Sequence, residues 1–221
     1  VITHENGPQL VVAGAGTGKT KAITYRIAWL IETERAKPDE ILALTFTEKA
    51  ATEMQERTDQ LLPYGCFDQW IMTFHGFADR VLRQNGIDIG LSGNYKLLDE
   101  VGQWLLVRKN LGKFNLDYYR PLGNPTKFIH ALLKHFSRCK DELIFPEDYL
   151  KYAEERKLNA DSADFIEDSE ILRVNEVANA YHVYQNLLLK NNALDFGDLI
   201  NYAFKLFQAR PAILQYYRNK F

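Results

Sequence analysis

The chain has 221 residues, 46% of them hydrophobic and 25% charged, with a formal net charge of −2. That composition is ordinary for a soluble globular protein of one large domain or two small ones. No run reaches the ~20 apolar residues of a membrane span, and the N-terminal residues have no signal-peptide pattern. The two cysteines, Cys66 and Cys139, form no ligand motif; lone thiols fit a reducing compartment, so a cytoplasmic location and no membrane partner are expected. The near-neutral total hides an asymmetry. Residues 80–140 hold eleven Lys/Arg against four acids, and residues 141–170 hold eleven acids against three bases. Binding to a polyanion depends on where charge sits, so the total does not exclude nucleic acid.

Residues 1–9 carry no helix start and end in a Gly7-Pro8 turn. Leu10-Val11-Val12 reads as a short buried strand, Ala13-Gly14-Ala15-Gly16-Thr17-Gly18 as a tight loop, and Lys19-Thr20 as the opening of a helix with Ile23, Ile27, Leu30 and Ile31 on one face. Strand, glycine loop, Lys-Thr and helix are the layout of a phosphate-binding P-loop. Glycines let backbone N–H groups approach a triphosphate, and the helix N-terminus adds a favourable dipole. Lys19 is placed to reach β- and γ-phosphates, and the Thr20 hydroxyl to ligate Mg²⁺. The nucleotide set is therefore Ala13, Gly14, Ala15, Gly16, Thr17, Gly18, Lys19, Thr20 and Lys21, with Lys19 and Thr20 carrying chemistry and ATP with Mg²⁺ as the cofactors.

Pro38 bars continuation of that helix. Ile41–Thr45 reads as a second strand, making a parallel βαβ unit, with Thr45-Phe46-Thr47 at the strand end where open α/β sheets bind ligands. Glu48 opens a helix with Ala50, Ala51, Met54 and Leu61 inward, closed by Pro63 and Gly65. Trp70–Thr73 reads as a third strand, followed by a helix from Phe74 through Gln84. From Gly86 to about Asn192 only helical periodicity is evident, an inserted helical region. Within it, 126–140 is the clearest helix: Lys127, His130, Lys134 and Arg138 fall on one side, and Phe128, Leu132, Leu133, Phe136 and Cys139 on the other. A charged face is most often just solvated, but no acid interrupts this one. Ile171–Lys190 reads as a long amphipathic core helix ended by Asn191-Asn192, Asp195 as the start of another, and Pro211 as the start of a last short one.

A P-loop NTPase also needs a carboxylate on a neighbouring strand. The nearest match, Leu97-Leu98-Asp99-Glu100, lies inside the helical region, and its acids read as a helix first turn, where they suit the dipole. Lys140-Asp141-Glu142 fails for the same reason.

Taken together, these segments resemble the N-terminal part of the UvrD/Rep/PcrA group of superfamily 1 DNA helicases. Ala13–Thr20 resembles that group's P-loop, which commonly begins with Ala. Leu44-Thr45-Phe46-Thr47-Glu48-Lys49-Ala50-Ala51 is similar to motif Ia, Thr73-Phe74-His75-Gly76-Phe77 to motif Ib, and Asp195-Phe196-Gly197-Asp198-Leu199 to the segment where the chain re-enters domain 1A. Three departures stand out: Glu48 for the usual Asn, Gly76 for Ser (a form associated with RecB- or AddA-like helicase-nucleases), and Lys21 where many relatives have Arg near the adenine.

The resemblance implies an α/β fold: an incomplete RecA-like parallel sheet with an inserted all-helical subdomain, domain 1A being 1–86 and 193–221 and domain 1B being 87–192. It implies an ATP-dependent 3′ to 5′ translocase that unwinds DNA in repair or recombination, with Phe46, Thr47, Thr73, Phe74 and His75 lining a single-strand track. Lys127, Lys134 and Arg138 would touch single-stranded or duplex DNA. An adenine-reading Gln motif would precede Val1, and an Asp-Glu motif and domains 2A and 2B would follow Phe221, so the piece alone would bind ATP weakly and without useful hydrolysis. His75 lacks a nucleophile or metal partner and is not a catalytic base. By pattern alone Phe77 belongs to the core. A RecB- or AddA-like helicase-nuclease subunit stays open as an alternative, as do two readings of other classes: a P-loop kinase, for which no Arg-rich lid is evident, and a non-catalytic DNA-binding module.

Overall fold

The computed structural model describes residues 1–62, 69–119, 125–159 and 165–221, and of 125–127 and 165–168 only the helical backbone. Pro63, Gly65, Cys66 and the Lys127 side chain, each used above, therefore lie outside the described residues. The chain forms two compact units, Val1–Val81 with Leu206–Phe221, and Leu82–Lys205. These limits differ from the anticipated 86/87 and 192/193, because the Asp195–Leu199 segment packs with the helical unit.

In the first unit, helix α1 (Lys19–Glu32) buries Thr24, Ile27 and Ala28. Ile23, expected inward, is exposed. A 3-10 turn at Pro38–Glu40 leads into strand β1 (Leu42–Thr45), helix α2 (Glu48–Leu61), strand β2 (Trp70–Thr73) and helix α3 (Phe74–Asn85), which runs on into the other unit. β1 and β2 pair in parallel, Leu42 opposite Trp70 and Thr45 opposite Thr73. Ile27 of α1, Met54 of α2 and Ile71 of β2 form the core of this layer. Of the four residues expected inward on α2, Ala51 and Met54 are buried, Ala50 and Leu61 half-buried, and Thr58 completes the face.

The expected strand at 10–12 does not form. Leu10 and Val12 are 90% and 89% exposed, and no described segment pairs with them. A strand exists through hydrogen bonds to a neighbour, and no described segment supplies them to 10–12. Apolar character alone could not supply the missing partner.

A second cluster in this unit is aromatic. Trp70, Phe77, Tyr217 of helix α9 (Pro211–Lys220) and Phe221 meet with ring centroids 5.2–6.3 Å apart. The Arg80 guanidinium lies 3.8 Å over the Trp70 ring, a cation–π contact. Phe77 is thus a packing residue, as its pattern predicts.

The second unit is mostly helical: α4 (Glu100–Lys109), α5 (Pro125–Asp141), α6 (Pro146–Leu158), α7 (Phe165–Lys190) and most of α8 (Phe196–Ala209). It is not all-helical, as the sequence suggested. Strand β3 (Lys96–Leu98) pairs in parallel with β4 (Ala193–Asp195), Leu97 opposite Leu194. Three-residue strands are too short for periodicity to register, and the partners are far apart in sequence. Asp195 opens α8 as expected and closes β4 as well: its Oδ1 accepts from Asp198 N at 3.0 Å, and its own N–H donates to Asp198 Oδ2 at 3.1 Å. Leu97-Leu98-Asp99-Glu100 therefore does have a strand context, contrary to the reason given for setting it aside. Asp99 is nevertheless committed elsewhere: it is the N-cap of α4, its Oδ1 accepting from Gly102 N at 2.8 Å. The core of this unit stacks Phe136 of α5 on Tyr181 and Tyr184 of α7, at 4.9 and 5.3 Å, with Val107, Ile129 and Leu188 fully buried around them.

Candidate nucleotide loop and nucleic-acid interface

Two glycines of the 13–18 loop hold left-handed backbone, Gly16 at φ +75° and Gly18 at φ +87°. Gly18 is the N-cap of α1, with no side-chain cap and no acid in that helix's first turn, so no carboxylate there opposes the positive end of the helix dipole. A Cβ on Gly16 or Gly18 would meet nothing within 4 Å. Conformation, not crowding by protein atoms, sets these two glycines, and the space beside them suits a ligand.

The loop is closed on itself. The Lys19 ammonium donates to the carbonyls of Ala13 (2.9 Å) and Gly14 (2.5 Å), and the Thr17 hydroxyl to that of Gly14 (2.8 Å). Lys19 is thereby aimed back over the loop, the direction needed to reach phosphate oxygens seated in it. Thr20 is half-buried on the first turn of α1. It is the motif's one candidate Mg²⁺ ligand, and no group of three or more His, Cys, Asp or Glu placed for a metal occurs among the described residues. Lys21 lies with its ammonium 5.6 Å from the Tyr25 ring centroid. One guanidinium nitrogen of Arg26, further along α1, donates to the carbonyls of Val1, Ile2 and His4 at 3.2, 3.0 and 2.7 Å.

The parallel pairing of β1 and β2 sets Phe46, Thr47, Phe74 and His75 side by side at the carboxyl ends of both strands. Phe46 is 89% exposed, and its ring lies 5.5 Å from that of the partly exposed Phe74. The pair presents aromatic surface to solvent, a geometry that allows stacking on a flat group. His75 is exposed beside them. Thr47 caps α2, its Oγ1 accepting from Ala50 N at 3.2 Å. Thr73 is buried; its hydroxyl donates to Glu48 Oε1 and accepts from Gly76 N. It is placed as a strut beneath the aromatic pair rather than on the surface.

In the helical unit, His130, Lys134 and Arg138 are exposed on α5 as the wheel predicts. His130 and Lys134 line a cavity of about 510 Å³ together with Gln103, Ser137 and Phe196. Phe196, half exposed at the start of α8, was not singled out from the sequence as a site residue, although it lies inside the quoted re-entry segment.

The sequence reading also missed a buried ionic cluster. The Lys140 ammonium bridges Asp195 Oδ2 (2.6 Å) and Asp198 Oδ1 (2.7 Å), with all three side chains less than a tenth exposed. Tyr184 donates to Asp195 at 2.8 Å, and Gln185 to Asp198 at 2.9 Å. Burial, aided by the Asp195 charge and opposed by Lys140, pushes the Asp198 carboxyl up to about 6. The signal was available: Lys140 falls on the same side of α5 as Leu133 and Phe136, the buried side.

Comparison with known proteins follows this geometry. The family model described as the UvrD/REP helicase N-terminal domain matches residues 1–221, and the chain belongs to that family. Among its relatives is the ATP-dependent DNA helicase PcrA of Bacillus subtilis strain 168, 39% identical over 221 residues. The proteins of the same name from Staphylococcus epidermidis RP62A and Staphylococcus aureus NCTC 8325 are 38% and 37% identical over 220 residues. Each match covers 100% of this chain and 27% of the relative, so the chain spans about a quarter of the length of these relatives.

Proposed function

We propose that this chain is the nucleotide- and DNA-binding part of an ATP-driven helicase that moves 3′ to 5′ along single-stranded DNA in repair or recombination. The observation that carries the reading is the exposed Phe46–Phe74 pair, set at the ends of the same parallel strands that follow the glycine loop in the chain. Gly14, Gly16 and Gly18 cradle phosphates, Lys19 binds β/γ oxygens, and Thr20 ligates Mg²⁺. Lys21 lies toward the base. Phe46 and Phe74 stack on bases without reading sequence, each contact worth about 1–3 kcal/mol, while Thr47 and His75 flank them. Lys134 and Arg138, with Lys127, hold phosphates by charge, and Phe196 adds an aromatic beside Lys134. The first unit corresponds to an incomplete RecA-like domain 1A and the helical unit to domain 1B of a longer cytoplasmic protein that includes domains 2A and 2B.

The chain by itself binds ATP weakly and turns it over negligibly, because among the described residues the strand that runs into Asp-Glu, β3, commits Asp99 to a helix cap. The test is titration of a labelled single-stranded oligonucleotide with and without Mg-ATP at two salt concentrations. The helicase reading requires salt-dependent binding that responds to nucleotide and loses that response in Lys19→Ala. Binding indifferent to nucleotide would identify a DNA-binding module, and nucleotide binding indifferent to DNA a kinase. Robust ATP turnover by the chain, abolished by Lys19→Ala, would overturn the claim of negligible hydrolysis.

A further inference from the structure

The Lys140 side chain is 1% exposed and so meets neither nucleotide nor DNA itself. Its ammonium is held from several sides: by Asp195 Oδ2 at 2.6 Å, by Asp198 Oδ1 at 2.7 Å and by the Tyr184 ring, whose centroid lies 5.2 Å away. The same two carboxylates also hold each other's backbone N–H groups. Between them, Gly197 sits so close that a Cβ would lie 2.9 Å from both Cβ and Cδ of Lys140. Residues 195, 197 and 198 are thus all set against one lysine of α5. Phe196 is the member of that corner whose side chain leaves it. It is 48% exposed and shares the cavity of about 510 Å³ with His130 and Lys134, which stand on the same α5.

A buried ion cluster is a poor source of stability, because desolvation offsets most of the attraction and apolar groups of like volume do as well. Direction is what it adds. Apolar contacts tolerate sliding, whereas an ammonium shared by two carboxylates accepts one arrangement. Granted the DNA role given to Phe196 above, we infer that Lys140 is its positioning residue: the Lys140–Asp195–Asp198 latch sets the β4–α8 corner on α5 so that the Phe196 ring and the Lys134 ammonium take a base and a phosphate of one strand in fixed register. A strand offers base and phosphate at limited spacings, and contacts already held at a matching distance lose less on binding. Charge is not the means. One lysine against two aspartates leaves the cluster net negative, which by itself disfavours a polyanion.

The test is a double-mutant cycle read by the anisotropy of a labelled single-stranded oligonucleotide. The neutral cluster Lys140→Met/Asp195→Asn/Asp198→Asn keeps an acceptor for each of the two backbone N–H groups and removes every charge. It is expected to weaken binding about fivefold and Phe196→Ala about tenfold, while the two combined weaken it no further than Phe196→Ala alone. Stronger binding by the neutral cluster would mean an effect through charge, and an equal loss in both backgrounds a general loosening; either overturns the latch, as does no loss at all beside a loss in Phe196→Ala. Undiminished affinity in Phe196→Ala overturns the DNA role of Phe196 itself and the latch with it. Should the triple variant fail to fold, Asp198→Asn alone frees one end of the latch. The same cycle then shows a loss of about twofold confined to the background with Phe196 intact, and equal affinity there overturns the proposal.

Discussion

The Thr73 hydroxyl donates to Glu48 Oε1 at 2.7 Å, tying the end of β2 to the first turn of α2. Through that bond the two segments bearing Phe46 and Phe74 are held in one geometry. Position 48 therefore has a structural task and an electrostatic one that conflict, because its carboxylate stands beside a surface proposed to bind a polyanion. Glu48→Gln keeps an acceptor for Thr73 and removes the charge. Single-strand affinity at low salt is expected to rise about fivefold, the scale of about 1 kcal/mol for a charge near phosphate in water. Glu48→Ala leaves the buried Thr73 hydroxyl unmatched and costs about 1 kcal/mol of stability. Fluorescence anisotropy and urea unfolding read the two effects separately.

Phe46 and Phe77 are both phenylalanines of motif-like segments, and substitution separates their roles. Phe46→Ala is expected to leave Tm nearly unchanged, since the ring is already in water, and to weaken single-strand binding by about 1–3 kcal/mol. Phe77→Ala opens the cluster with Trp70, Tyr217 and Phe221 and is expected to cost about 3 kcal/mol of stability. Anisotropy and thermal melts on the same two proteins check both halves.

Lys19→Ala removes two hydrogen bonds to an exposed loop, so intrinsic stability should move by less than about 0.5 kcal/mol. The rise in Tm that ATP gives the wild-type chain should disappear. Differential scanning fluorimetry with and without nucleotide is sufficient.

Gly197 lies in the first turn of α8, against α5. A Cβ there would lie 2.9 Å from both Cβ and Cδ of Lys140. The near end of that side chain cannot swing away, because its ammonium is fixed between two carboxylates. Gly197→Ala is expected to destabilise by about 1–3 kcal/mol, seen as a lower urea midpoint at unchanged slope.

Asp198 gives the chain a pH dependence of definite sign. Its carboxyl is raised from an ordinary 3.8 to about 6, first by burial. Between those values the folded state keeps a proton that the unfolded chain has released. Stability from this group is full below the window and is lost as pH rises through it, at up to about 1.4 kcal/mol per pH unit. Asp198→Asn should abolish that component, which the difference between urea unfolding curves of the two proteins from pH 4 to 7 isolates.

What the sequence disclosed follows from how locally each feature is determined. α2 and α5 announce themselves by their period. β1 and β2 are apolar runs with turn signals, and each finds the other. Leu10–Val12 has the same composition, yet strand formation is a property of a pair, and apolarity in one segment does not reveal its mate. β3 fails in the opposite direction: Lys96 meets Ala193 across nearly the whole helical unit, a match that only the folded chain makes. At the site, the loop glycines were legible because backbone conformation dictates them. The burial of Thr73 was not, since a threonine at a strand end serves as strut or as surface with equal ease.

Arg26 has a last consequence. It grips the N-terminal segment solely by main-chain oxygens, those of Val1, Ile2 and His4. Such a clasp is indifferent to spelling at the residues whose oxygens it takes, although His4 also meets the Gly7 carbonyl through its ring at 3.2 Å. A change at 26 would release the whole segment from α1 at once, with every residue of the segment itself unaltered.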